Sequence, residues 1–390
     1  LTDQDFVGSL YETTGISVNV ESPLWVANRG YFASFTEELD TYTHEIDVAV
    51  GFKSAQIKLR LGRQAAEQWL LEGLGRHIVV VDSDLTVVWE GFINSVSMTF
   101  GGLTVTRGPL LDIANRVIVM YSRVNEQGEP PLGGGTFETV AAEDLDSQAR
   151  YGIIEKIVSI GQATLDEANL IRDSYLAEYA FPETTHRLSF SNLSDISITL
   201  ECAGYGELLN AYVYNNYSTL FVTLDTKIQN ILAADPNGVF STDYAFIDEN
   251  LSILQELEDQ NRTALTIIKS VVDIGDINGG RWVFGIYEGR KAYYFAVPTA
   301  EIGYVSGLGF EELTLNAGAN SVDPWKVRPG KWVVIPDFLA SSTPSVTLRQ
   351  DPRNVFIETV KFTAPHGLDI TGNKVGTVAQ LINRLGLGGL

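Results

Sequence analysis

A mainly β chain carrying an α+β insert is what this sequence predicts, and three features predict it. Short alternations of apolar and polar residues recur through the first 124 residues, the pattern of half-buried strands. Glycine-centred turns separate them at even spacing, as in small antiparallel barrels and sandwiches. The middle of the chain instead carries runs of helical period. With 390 residues, 45% of them apolar, there is enough material for about two to three packed units.

Taken in order, Ile16-Ser17-Val18-Asn19-Val20 alternates, as does Ile46-Asp47-Val48-Ala49-Val50. The run from Ala55 to Leu61 directs Ala55, Ile57, Leu59 and Leu61 inward and Lys58 and Arg60 outward. A short helix over 64–71 is closed by Gly73 and Gly75. Strands over 78–81 and 85–89 form a hairpin around Asp82-Ser83-Asp84. A further strand over 91–98 turns at Gly101-Gly102 into Leu103-Thr104-Val105-Thr106.

Residues 125–135 are polar and rich in Gly and Pro, which marks a boundary. Beyond it the pattern predicts a strand over 151–160 and a helix over 165–176. Asp166 and Glu167 suit the positive end of that helix's dipole. Alternation returns over 188–200, and short helices are predicted over 225–233, 252–257 and 263–272. A hairpin over 281–297 turns at Glu288-Gly289. Strands over 332–335, 345–348 and 355–362 follow, and a last helix over 377–385 runs into a Gly-rich tail.

One internal echo stands out. Leu103-Thr104-Val105-Thr106-Arg107-Gly108-Pro109-Leu110-Leu111 and the run from Ile198 to Leu209 both read as strand, Gly corner, Leu-Leu turn, then strand. It hints at a duplicated β-unit.

The formal charge of −22, from 49 acidic and 27 basic side chains, repels phosphate backbones and anionic lipid heads. Stable nucleic-acid binding and membrane insertion are therefore not expected, and no run approaches the ~18 apolar residues of a membrane span. The clearest local basic cluster is Lys53, Lys58, Arg60 and Arg63. Cys202, the single cysteine, sits in an apolar-periodic run and reads as a buried small hydrophobe. The chain starts at Leu1 with no basic-then-apolar signal segment, so cytoplasmic synthesis is expected.

The sequence carries no phosphate-cradling loop and no nucleophile elbow. His44-Glu45 resembles half of a zinc motif, but Val48 occupies the next ligand position. The four histidines are far apart in sequence, and surface or cap roles are expected for them. Glu256, Glu258 and Asp259, or Glu311 and Glu312, are the carboxylates that a glycan hydrolase would need. Trp25, Trp325 and Trp332 are the candidates for an aromatic sugar platform, although a packed corner is the simpler reading for the last two. No catalytic, cofactor-binding or metal-ligating residue is assigned.

Four stretches together resemble the hub proteins of phage tails, the family of baseplate hubs of contractile phages and tail hubs of long-tailed ones. The first runs from Gly75-Arg76-His77-Ile78 to Trp89-Glu90-Gly91-Phe92-Ile93. The second is Ser147-Gln148-Ala149-Arg150-Tyr151-Gly152-Ile153 with the helix after it. The third joins Asn261-Arg262-Thr263-Ala264 to the hairpin ending at Tyr294. The fourth is Val327-Arg328-Pro329-Gly330-Lys331-Trp332-Val333-Val334.

The resemblance implies two barrel-like β-domains flanking a mixed α/β domain. The first covers 1–124, the interrupted mixed domain 125–187 and 225–300, and the second barrel 188–224 and 301–365. A C-terminal helix and tail fill 366–390. It also implies a homotrimer whose six barrels match a sixfold tail tube. Its partners would be the tube or a distal tail protein, a central spike or tip protein, and a tape-measure protein. The protein would sit at the tail tip of the virion after assembly in the bacterial cytoplasm, without enzymatic activity or cofactor. An acidic lumen would let DNA pass without binding. Lys58 and Arg60, and Trp325 and Trp332, are the candidate subunit contacts. The competing readings are a distal-tail adaptor or glycan-binding tail protein, and a carboxylate-dependent glycan hydrolase.

Overall fold

The computed structural model describes residues 16–26, 31–35, 39–124, 135–189, 196–215, 221–255, 262–298, 304–306, 313–315, 322–334, 354–364 and 367–372. The strand expected over 345–348 and the helix expected over 377–385 lie outside these residues. So do Glu256, Glu258, Asp259, Glu311, Glu312 and His366. Strands predominate, most of them in one large antiparallel sheet.

The chain opens with β1 (Ser17–Glu21), β2 (Tyr31–Phe35), β3 (Leu39–Asp47) and β4 (Gly51–Arg60). On β4 the expected alternation holds, with Ala55, Ile57 and Leu59 buried. The helix Arg63–Glu72 ends at Gly73. β5 (His77–Val81), β6 (Val87–Phe100) and β7 (Leu103–Arg107) then form a meander. Its first turn is held by Asp82, whose carboxylate accepts the Asp84 and Thr86 N–H groups at 3.0 and 2.9 Å. The two strands read separately over 85–89 and 91–98 are one 14-residue strand, β6, because Glu90 and Gly91 keep extended backbone between them.

The insert holds β8 (Arg116–Arg123), β9 (Thr136–Glu138), β10 (Ala142–Glu143) and β11 (Glu155–Ala163), a separate sheet in which β8 and β11 run parallel. The strand expected over 151–160 starts later than predicted. Leu145–Tyr151 is a helix, opened by Asp144, whose side chain accepts the Ser147 N–H. The helix expected at 165–176 forms as Leu165–Tyr179 with a full capping box between Thr164 and Glu167. β12 (Thr184–Leu188) then returns the chain to β7.

β13 (Ser197–Gly204), β14 (Val213–Tyr214), β15 (Phe221–Thr223), β16 (Ile253–Gln255) and β17 (Arg262–Thr263) come next. The helix expected over 252–257 is replaced at 253–255 by a strand, β16, paired with β15. Ile253 is exposed while Leu254 packs on the core, a period of two rather than 3.6. Helices Leu224–Ala233 and Ala264–Ile274 bury the apolar faces that their spacing predicts. The predicted hairpin is β18 (Trp282–Ile286) with β19 (Ala292–Ala296). β20 (Tyr304–Ser306), β21 (Leu313–Leu315), β22 (Trp332–Val334), β23 (Asn354–Thr363) and β24 (Gly367–Gly372) complete the set.

The sheet order is β2-β1-β5-β6-β13-β4-β3-β23-β22-β20-β21, with β7 paired to one part of β6 and β12 paired to β7. Where the sequence suggests two separate barrel-like units, the described strands form one connected sheet, with no closed barrel among them. The joining element is β13, expected in the second unit but hydrogen-bonded between β4 and β6 of the first. Ile198, Leu200 and Cys202 are buried there, and full burial of each of the two large side chains is worth roughly 2 kcal/mol. The sequence echo reappears as geometry. β7 and β13 each pair with β6 and lead into a 3-10 turn, Leu110–Asp112 and Tyr205–Asn210 respectively.

Backbones approach very closely where these strands cross. A Cβ on Gly204 would stand 1.7 Å from the Phe52 carbonyl oxygen, and one on its register partner Gly91 2.3 Å from that of Ala203. At the base of β4, Gly51 takes φ +79°, and a Cβ there would meet the Ile286 oxygen at 2.2 Å. This lets the Ile286 N–H reach the Val50 carbonyl at 3.0 Å and ties β18 to the sheet.

Two histidines correct the expectation of surface or cap roles. His44 lies in the inward row of β3 with Tyr42 and Ile46, and His77 in the buried part of β5. His44 Nδ1 is 2.9 Å from the Tyr42 hydroxyl. Burial, reinforced by the Arg328 charge, pushes its pKa from 6.5 down to about 3.

Two outcomes are expected. Gly204→Ala should cost about 3 kcal/mol or more in urea unfolding, while Gly161→Ala, with nothing within 4 Å of its Cβ, should stay within roughly 0.5 kcal/mol of wild type. For His44, the unfolded chain takes up the proton first, so stability present above pH 6.5 is lost as the pH falls toward 3. Between pH 7 and pH 5 that loss should be about 2 kcal/mol. Urea titrations of His44→Asn should lack this component; an unchanged pH slope would contradict the assignment.

Candidate subunit-contact surface

The insert builds a core too small for its surface. Val119, Tyr121, Ala163 and Ala168 are buried together, with Val158 and Ile160 partly covered. The 15-residue helix Leu165–Tyr179 contributes only Ala168 to it. Nine of the seventeen exposed large apolar side chains among the described residues lie between Phe137 and Leu188, including Val140 at 82% and Leu170 at 68% exposure. Apolar exposure concentrated in one part of a chain is a mark of contact surfaces on soluble proteins.

Polar groups brace the insert internally and against the loop after the helix Leu224–Ala233. Asn115 is fully buried at the start of β8. Its side-chain amide donates to the Gly152 carbonyl at 2.7 Å and to the Ser147 hydroxyl at 3.3 Å, and its side-chain oxygen accepts the Ile154 N–H at 2.8 Å. Asn237 grips the next residue, accepting the Ile153 N–H at 2.7 Å and donating to the Ile153 carbonyl at 3.0 Å. These bonds hold the helix Leu145–Tyr151 in place and with it one wall of a cleft.

That cleft, of about 510 Å³, opens where the insert meets the sheet. Arg76, Arg107 and Arg150 line it, together with Glu72, Asp146, Tyr151 and the apolar Pro23, Val26 and Leu71. Arg107 donates to the Leu71 carbonyl and to the Tyr151 hydroxyl, the latter at 2.7 Å. Arg76 donates to the Glu72 carbonyl at 2.8 Å. Arg150 is exposed and its guanidinium lies 5.9 Å from the Tyr151 ring centre. Arg76 is paired with Glu72 at 3.6 Å and Asp146 lines the same opening, so the three guanidinium groups exceed the carboxylates there by one. In a chain of net charge −22 that local surplus favours an acidic occupant. Nothing in the spacing of residues 76, 107 and 150 signals this grouping; β7 and the insert bring them together.

The residues singled out in the sequence do not meet in one place. Lys58 and Arg60 share one carboxylate, Asp40, at 3.1 and 3.2 Å. Trp325 packs edge-on against Phe362 and Trp332 against Phe356, six residues apart on β23. The Trp332 indole donates to the Pro298 carbonyl at 2.9 Å. Trp25 donates to the Arg150 carbonyl at 3.1 Å beside the cleft.

A buried polar group that the sequence did not suggest surrounds Glu90. It accepts the Gly289 N–H at 2.5 Å, with Arg290 and His77 each 3.7 Å away, and His77 Nδ1 is 2.7 Å from the Tyr205 hydroxyl. Burial raises the Glu90 pKa against the opposing pull of Gly289 and Arg290. This arrangement fastens the β18–β19 hairpin tip to β6. Among the described residues no group of three His, Cys, Asp or Glu side chains is placed to hold a metal ion. No described helix is long and apolar enough to cross a membrane.

No protein-family model and no curated protein matches the chain. Among solved structures it is similar to the tail protein from Neisseria meningitidis MC58, at a TM-score of 0.38 and 8% identity, over 94% of this chain and 98% of that one. It is also similar to the 43 kDa tail protein of prophage MuSo2 from Shewanella oneidensis, at a TM-score of 0.41 and 9% identity, over 93% and 99%. At TM-scores this low the likenesses carry no argument about role.

Asn115→Leu should strip partners from the buried Ile154 N–H and Gly152 carbonyl and cost about 3 kcal/mol. Amide exchange should then accelerate at Ile154 before it does in β6. Equal acceleration in both would refute a local clamp.

Proposed function

We propose that the chain is a structural, non-enzymatic subunit of a phage tail tip, a hub that joins the tail tube or a distal tail protein to a central spike or tip protein. The reading starts from the four hub-like sequence stretches. The single structural observation that supports it is the concentration of exposed apolar side chains on the insert, between Phe137 and Leu188. A 15-residue helix that buries one alanine against its own chain gains little from that packing, and a neighbour that covers it would supply the missing burial.

In this proposal the protein is a homotrimer located in the virion tail and assembled in the bacterial cytoplasm. A tape-measure protein would be a further partner. We place the contact role on the insert and its cleft; Lys58 and Arg60 share a single carboxylate, Asp40, which offsets one of their two charges. The contact role also lies away from Trp325 and Trp332, whose rings rest on β23.

Light scattering on the purified chain should give three times the chain mass, and Val140→Glu with Leu170→Glu should give a folded chain of unit mass. Those two side chains are exposed, so circular dichroism should not change. A chain that stays monomeric at every concentration and is captured by a glycan array would instead be a receptor-binding protein.

A further inference from the structure

We infer that the arginine cleft of one copy receives the outward face of the helix Leu165–Tyr179 of a second copy. This deepens the homo-oligomer reading and rests on it. The two surfaces match in charge and in apolar content. On the cleft side Arg76, Arg107 and Arg150 outnumber Glu72 and Asp146, Arg76 being paired with Glu72 at 3.6 Å, and Leu71 at 68% exposure stands beside them. On the helix side, Asp166, Glu167, Asp173 and Glu178 face one base, Arg172, which is already paired with Asp173 at 2.7 Å.

The outward side chains fall into two rows. With Ala168 turned inward, helical spacing places Asp166, Leu170, Asp173 and Ala177 in one row and Glu167, Ile171, Ser174 and Glu178 in the next. All eight are exposed. Each row opens with an acid and sets an apolar side chain one turn later, which suits an opening that mixes guanidinium groups with Pro23, Val26 and Leu71. A 15-residue helix is about 22 Å long, so its face extends over more than the cleft mouth.

The helix does not serve its own cleft. Its inner face lies on the insert sheet through Ala168, and its end is tethered beside the cleft. There the Ala180 carbonyl accepts the Ser147 hydroxyl and Phe181 packs edge-on against Tyr151 at 6.5 Å. The outward rows therefore point away from the chain that carries them. Joining one patch to a different patch on the next copy is a heterologous contact, which closes into a ring when the rotation allows it.

Single cysteines test this, since the native Cys202 is buried. Ala149→Cys marks the cleft wall and Ala177→Cys the outward row, and both positions are exposed. A mixture of the two variants treated with a short bis-maleimide should give a covalent dimer that neither variant gives alone. Adding Arg150→Glu to the cleft partner should lower the yield by at least about tenfold, as should 1 M salt, where screening shortens to roughly 3 Å. An oligomeric mass without the cross-link would overturn this contact and leave the homo-oligomer reading standing. A monomeric mass in every sample would overturn both. A cross-link indifferent to Arg150→Glu and to salt would overturn the pairing of arginines with the acidic helix.

Discussion

The sheet depends on backbone passing within contact distance of backbone at the end of β13. Gly204 against Phe52, Gly91 against Ala203 and Gly51 against Ile286 leave no space for a side chain. Interiors are packed too densely for a methyl group to be absorbed there without moving a strand. Because these contacts involve main chain, no rotamer change can relieve them. The glycines thus determine where β13 lies, and β13 in turn fixes the distance between β4 and β6. The Glu90 group and the Ile286 to Val50 hydrogen bond then lock the β18–β19 hairpin onto the framework.

The insert follows the opposite logic. Its parallel pair, β8 with β11, needs a crossover, and the helix Leu145–Tyr151 lies in that connection. The clamp made by the buried Asn115 and the half-buried Asn237 fixes the backbone between helix and β11 through side-chain amide hydrogen bonds. Yet few apolar residues remain to cover the helix Leu165–Tyr179. A rigid frame thereby presents a poorly covered face, an arrangement suited to docking without large internal rearrangement.

Much of the local structure was legible in the sequence because alternation and helical spacing are local signals. The inward row of β4, the Asp82 turn, the Gly101-Gly102 turn and the Glu288-Gly289 hairpin all follow from neighbours a few residues apart. The segment 253–255 was misread because a three-residue strand is too short to declare its period. Sheet connectivity was not legible, since nothing around Ser197–Gly204 states that it fits between β4 and β6. The burial of His44 was within reach, because Tyr42 and Ile46 flank it in the same alternating row. The arginine cleft was out of reach, since its three cations come from the turn before β5, from β7 and from the insert, and only the folded chain sets them side by side.

The place of β13 also bears on how the polypeptide matures during synthesis. When residue 124 has left the ribosome, β4 and β6 exist but the strand that separates them does not. Two unpaired edges wait until residue 204 emerges. β3 waits longer still for its partner β23, near the far end of the chain. Such long-range pairing makes folding slow and leaves the nascent chain open to mispairing. The amino-terminal third is therefore an incomplete template rather than an independent unit, and it reaches its final form only once most of the polypeptide has been made.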